Sequence, residues 1–102
     1  MELKPLAFLA TSAVNHALKQ TSLVLSIYLG GLFKDFPYDM FVLEPKENET
    51  EVRLAGYNFK TQLLNEDSII AKLPIKINRR LWFKVDDYGT KFVGTLLYPE
   101  EY

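Results

Sequence analysis

The chain predicts an α+β domain, with one N-terminal helix packed on an antiparallel sheet or a partly open barrel of about five to six strands. Three observations carry this expectation. Apolar residues recur at helical spacing near the N-terminus. From residue 40 onward, short apolar runs alternate with turn signals. The connections between those runs are only a few residues long, whereas a parallel pair needs a long crossover.

The helix is predicted over about residues 5–19. Leu6, Leu9, Ala10, Ala13, Val14, Ala17 and Leu18 follow the i, i+3, i+4, i+7 spacing of one buried face. Pro5 sits near the first turn, where its missing N–H costs nothing. Residues 21–33, TSLVLSIYLGGLF, fit two patterns. Leu23, Leu25, Ile27 and Leu29 alternate as in a strand, while Leu25, Leu29 and Leu32 fit a helix. Gly30 and Gly31 would each cost a helix interior about 1 kcal/mol. The segment therefore reads as a strand ending at the glycines, and a β-rich region is expected over about residues 22–98.

KDFPYD follows as a turn, because Pro37 restricts Phe36 to extended backbone. Strands are expected over 40–44, 52–59, 68–77, 81–85 and 91–98, in meander order. Gly56 marks a bulge, and Pro74 makes 68–77 an edge or bulged strand, since proline cannot donate to a ladder. DDYGT (86–90) is a hairpin turn with Gly89 free to take positive φ.

At 102 residues, 48% hydrophobic and 25% charged, the chain has the size and composition of one globular domain, residues 1–102. Seven Phe, six Tyr and one Trp can fill a core at this length, which argues against disorder. No cysteine is present, which removes disulfides, thiolate chemistry and Cys-ligated zinc. PLAFLATSAV resembles a signal h-region only superficially: Pro5 interrupts it and Asn15, His16 and Lys19 end it. The longest apolar run, residues 23–33, is 11 residues, against the ~20 that a spanning helix needs. A cytoplasmic location is the expectation from these features.

Catalysis is not expected. His16 is the only histidine and lies off the apolar stripe. There is no G-x-S-x-G elbow, no Walker spacing around Gly30 and Gly31, and no EF-hand. The pairs Glu66–Asp67, Asp86–Asp87 and Glu100–Glu101 fall in expected turns or at the terminus, where water keeps both acids ordinary. A small carboxylate-dependent hydrolase built on such a pair is the weakest of the readings. No cofactor is called for, and no motif names a family.

Charge is segregated. Residues 35–51 hold six acids and one base, whereas residues 68–91 hold six bases and two acids. If Leu81, Phe83 and Val85 face the core, Arg80 and Lys84 flank Trp82 on the outer face, with Lys72 and Lys76 on the preceding strand. An aromatic platform among cations is how single-strand nucleic-acid binders of the OB type work, each stacked base adding roughly 1–3 kcal/mol. The same residues serve equally as cross-strand pairs in an ordinary sheet.

A protein partner is the main expectation. Residues 1–33 carry only Glu2, Lys4 and Lys19 as charges, so one small domain leaves apolar surface uncovered. Phe33, Phe36, Tyr38 and Phe41 extend this surface with the residue type that anchors interfaces. The acidic run beside them would steer a basic partner, or pair with the basic strands of a second copy in a homodimer. The reading is thus a small protein-binding module of adaptor or inhibitor type, the size common among phage and mobile-element accessory proteins.

Overall fold

Thr11 decides how the N-terminal segment folds. Its hydroxyl oxygen accepts the Val14 N–H at 3.3 Å, which makes it the N-cap of a helix beginning one residue later. In the computed structural model, which describes residues 4–64 and 67–102, that helix is α1, Ser12–Leu18. The preceding LAFLA is a strand, β1, Leu6–Ala10. The expected single helix over 5–19 is therefore corrected to a strand and a short helix. At Lys19 the backbone takes φ 53° and ψ −125°, a region favoured by glycine, and the chain turns sharply into α2, Gln20–Asp35.

The expected strand over 22–33 is thus a helix. Leu25, Leu29 and Phe33 lie on its buried stripe at i, i+4 spacing, together with Ser22 and Ser26. The serines satisfy themselves locally: Ser26 Oγ donates to the Ser22 carbonyl at 2.9 Å, and Ser22 Oγ to the Lys19 carbonyl at 2.7 Å. Gly30 does not end a strand. It is the notch in α2 that receives the Phe8 ring, since a Cβ there would lie 2.7 Å from Phe8 Cζ.

The remaining strands are β2 (Tyr38–Pro45), β3 (Thr50–Asn58), β4 (Ser68–Leu73), β5 (Leu81–Asp87) and β6 (Phe92–Leu97). They form one sheet in the order β1-β6-β5-β2-β3-β4. Every pairing is antiparallel except β1 with β6, which is parallel. The sheet is mixed because its one parallel pair joins the first strand to the last, and everything between them acts as the crossover. β2, β3 and β4 form the expected meander, but β5 then returns to pair with β2 instead of β4.

Turn chemistry follows the residues. Gly89 takes φ 89° in the β5–β6 hairpin, where its N–H donates to Asp87 Oδ1 at 2.8 Å. Gly56 takes φ 74° at a β3 bulge, and its neighbour Tyr57 donates its N–H to Asp39 Oδ1 at 3.0 Å. β4 is an edge strand that stops before Pro74, and a register shift between Val52 and Arg53 turns Ile69 outward.

The helices cover one face of the sheet. On that face Phe41, Leu43, Val52, Leu81, Phe83 and Leu96 are fully buried against α2 and against Val14 of α1. Phe83 contacts Phe41 edge-on at 5.9 Å and Phe8 at 6.4 Å. A second aromatic group joins Phe33 and Phe59 to Phe92 at 5.1 and 4.9 Å. Gly94 on β6 leaves space for the Phe83 ring. Among the described residues, no helix is long and apolar enough to cross a membrane.

Candidate protein interface

Neither α1 nor α2 covers the second sheet face, and the expected basic site can be located there. Leu81, Phe83 and Val85 are buried while Trp82 and Lys84 point to the other side, as their alternation requires. Three of the cations on this face, Arg53, Arg80 and Lys84, are matched with acids, while Lys46 lines the same depression as Arg53 and Arg80. Arg80 forms an ion pair with Glu44. Lys84 lies 3.6 Å from Asp39 and 3.4 Å from Asp86. Arg53 bridges Glu51 at 2.9 Å and Asp67 at 3.2 Å. Trp82 stands half-buried beside Leu97, and the Tyr102 ring packs edge-on against it at 5.7 Å.

Lys72 and Lys76 do not join the group. Lys72 is on β4, separated from β5 by β2 and β3, and is opposite Glu51. Lys76 lies in the connection after β4, because Pro74 ends that strand. Pairing of β2 with β5 brings the acidic and basic segments together within one chain. The charges expected to join two copies are in large part used internally.

The aromatic quartet is also relocated. Phe33 and Phe41 are buried core residues, so they are not contact residues for a partner in this fold. Phe33 follows Leu25 and Leu29 along the inner stripe of α2, and Phe41 falls on the inward side of β2. Phe36 and Tyr38 are half-buried and pack on the core margin.

Apolar surface appears elsewhere, on α2 and the adjoining edge of β1. Leu23 and Ile27 are 59% and 62% exposed, and Val24 and Tyr28 are exposed beside them. Leu9 and Phe8 on β1 continue the patch. Between β1 and α2 runs an open groove. One end is lined by Phe8, Leu9, Ala10 and Leu23, and the other by Leu6, Phe8, Ile27, Gly30, Gly31 and Lys34. The low charge of residues 1–33 signalled this surface. Its residues were obscured because 6–10 form a strand in place of the expected helix and 22–33 a helix in place of the expected strand.

The hydroxyl groups near this patch are engaged within the chain. Ser22 Oγ also meets Asn15 Oδ1 at 2.9 Å, and Thr11 Oγ1 donates to Glu101 Oε1 at 2.8 Å. Asp67, Asp86, Asp87 and Glu100 are exposed ion-pair partners, while Glu101 accepts from the Thr11 hydroxyl and the Tyr98 N–H. A hydrogen bond from Lys4 and the Gly89 N–H hold the Asp87 carboxyl below its ordinary value, and Arg79 does the same to Glu100. Glu66 lies outside the described residues. Among those described, no group of three or more His, Asp or Glu residues is placed to hold a metal. Comparison with family models, curated sequences and solved structures finds no match.

Proposed function

We propose that the protein is a small non-catalytic binding module whose contact surface is the outer stripe of α2 together with the free edge of β1. The observation that carries this reading is that α2 is apolar on both sides. Its buried stripe is Leu25, Leu29 and Phe33 with Ser22 and Ser26, while Leu23, Val24, Ile27 and Tyr28 are exposed. A helix covering one sheet face usually exposes its polar stripe. Leaving Leu23 and Ile27 in water adds nothing to the isolated fold, and contiguous exposed apolar surface of this kind marks an interface.

β1 adds a second means of recognition. It pairs only with β6 among the described strands, so its outer edge offers unpaired N–H and C=O groups to another strand. Backbone bonds on that edge and apolar contacts on α2 would act together on one partner.

The test is a photoreactive residue placed at position 27 in cells, with position 76 on the opposite end of the sheet as the control. The expected result is a discrete protein adduct at 27 and none at 76. Equal adducts at both positions, or none at 27, would rule this surface out.

A further inference from the structure

Taking that surface as the binding site, we propose that its occupant is a second copy of this chain. The two copies would join edge to edge through antiparallel β1 strands and side by side through α2, about one two-fold axis.

The backbone of β1 is set up for this pairing. The Phe92 N–H donates to the Pro5 carbonyl at 2.8 Å, and the Thr11 N–H donates to the Leu96 carbonyl at 3.0 Å. With a period of two, residues 5, 7, 9 and 11 turn towards β6, so Leu6, Phe8 and Ala10 direct their N–H and C=O outward. In an antiparallel pair centred on Phe8, Phe8 exchanges both bonds with the partner's Phe8. Leu6 exchanges both with the partner's Ala10. The register is symmetric, as an isologous contact requires.

The two edges of the sheet differ in the expected way. β4 carries Lys72 and a register irregularity and is followed by Pro74, the usual means of blocking edge pairing. β1 itself reads LAFLA, with no charge, and Pro5 just before it turns its carbonyl to β6, away from the free edge.

The helices then meet at packing distance. α2 lies over β1 and β6. A new strand pair adds ~4.8 Å, and half a strand spacing on each side brings the two α2 axes to about 10 Å, the separation of packed helices. The same axis aligns the helices antiparallel about Ile27. Leu23 then faces the partner's Gly31, a large residue beside a gap, as nothing lies within 4 Å of a Cβ at Gly31. The charged residue of α2 that lines this side is Lys34, so the contact between the two helices is carried by the exposed Leu23 and Ile27.

Sedimentation equilibrium of the purified chain tests this. The chain should be a dimer in the micromolar range, and Ile27→Glu should be a monomer with an unchanged circular-dichroism spectrum. A monomer throughout that range, or a dimer that Ile27→Glu leaves intact, overturns the second copy. A monomer whose position 27 still cross-links one other protein in cells overturns the self-pairing alone. A monomer with no such adduct overturns the binding surface as well.

Discussion

Gly30 and Phe8 meet through a missing side chain. The ring of the first strand occupies the place where a helix residue would carry its Cβ, with 2.7 Å from that position to Phe8 Cζ. This contact fixes how close β1 and α2 lie, and hence the groove between them. Gly31 is different, because a Cβ there meets nothing within 4 Å. Gly31→Ala should stabilise the fold by about 1 kcal/mol through helix propensity. Gly30→Ala should give less, because the Phe8 ring must swing aside. In a Phe8→Leu background the two glycines should become equivalent. Urea denaturation of these variants, all made with Ile27→Glu to keep association out, measures the difference.

Gly94 has the same relation to Phe83, but in the core. A Cβ at Gly94 would collide with the ring of Phe83, which is fully buried between Phe41 and Phe8. That ring has nowhere to move. Gly94→Ala should therefore cost about 1–3 kcal/mol, the range for overpacking. Chemical denaturation reads this directly, and a stabilised variant would show that Phe83 has room to shift.

Much of this architecture was readable from residue order. The strands from residue 40 onward, the Gly89 hairpin, the Gly56 bulge and the edge position of the Pro74 strand follow from alternation and turn chemistry. The N-terminal third was misread for a physical reason. LAFLA satisfies helical spacing, and only the Thr11 cap shows that the helix starts after it. In residues 21–33, glycine propensity pointed to a strand, whereas the Phe8 contact that requires Gly30 is tertiary and has no local signal. The candidate surface was visible as scarce charge in residues 1–33. The burial of Phe33 and Phe41 depended on helix phase and strand facing, which became fixed only with the whole sheet.

The exposed ion pairs make stability depend on acid. Asp87 is held below its ordinary value first by a hydrogen bond from Lys4, at 2.5 Å, and Glu100 first by Arg79. A carboxyl with a depressed folded value contributes stability above its unfolded value. That contribution is lost as pH falls through the folded value. Thermal stability should thus decline as pH drops below about 4, where free carboxyls titrate. Lys4→Ala should flatten the Asp87 part of that decline. An unchanged pH profile in Lys4→Ala would show that the pair contributes nothing.

Trp82 offers a direct probe of the nucleic-acid alternative. Arg80 and Lys84 beside it are paired with Glu44 and with Asp39 and Asp86, and Tyr102 packs on its ring. Single-stranded oligonucleotides at low salt should leave its fluorescence unchanged. Quenching that weakens steeply as salt rises would instead reveal a backbone-binding surface.

The outer edge of β1 gives the most direct test of all, through amide exchange at Leu6, Phe8 and Ala10. Their N–H groups should exchange slowly at high protein concentration, and fast on dilution or in Ile27→Glu. The amides of residues 7 and 9, bonded to β6, should stay protected throughout. Rapid exchange at Leu6, Phe8 and Ala10 at every concentration would contradict the pairing of two chains through this strand.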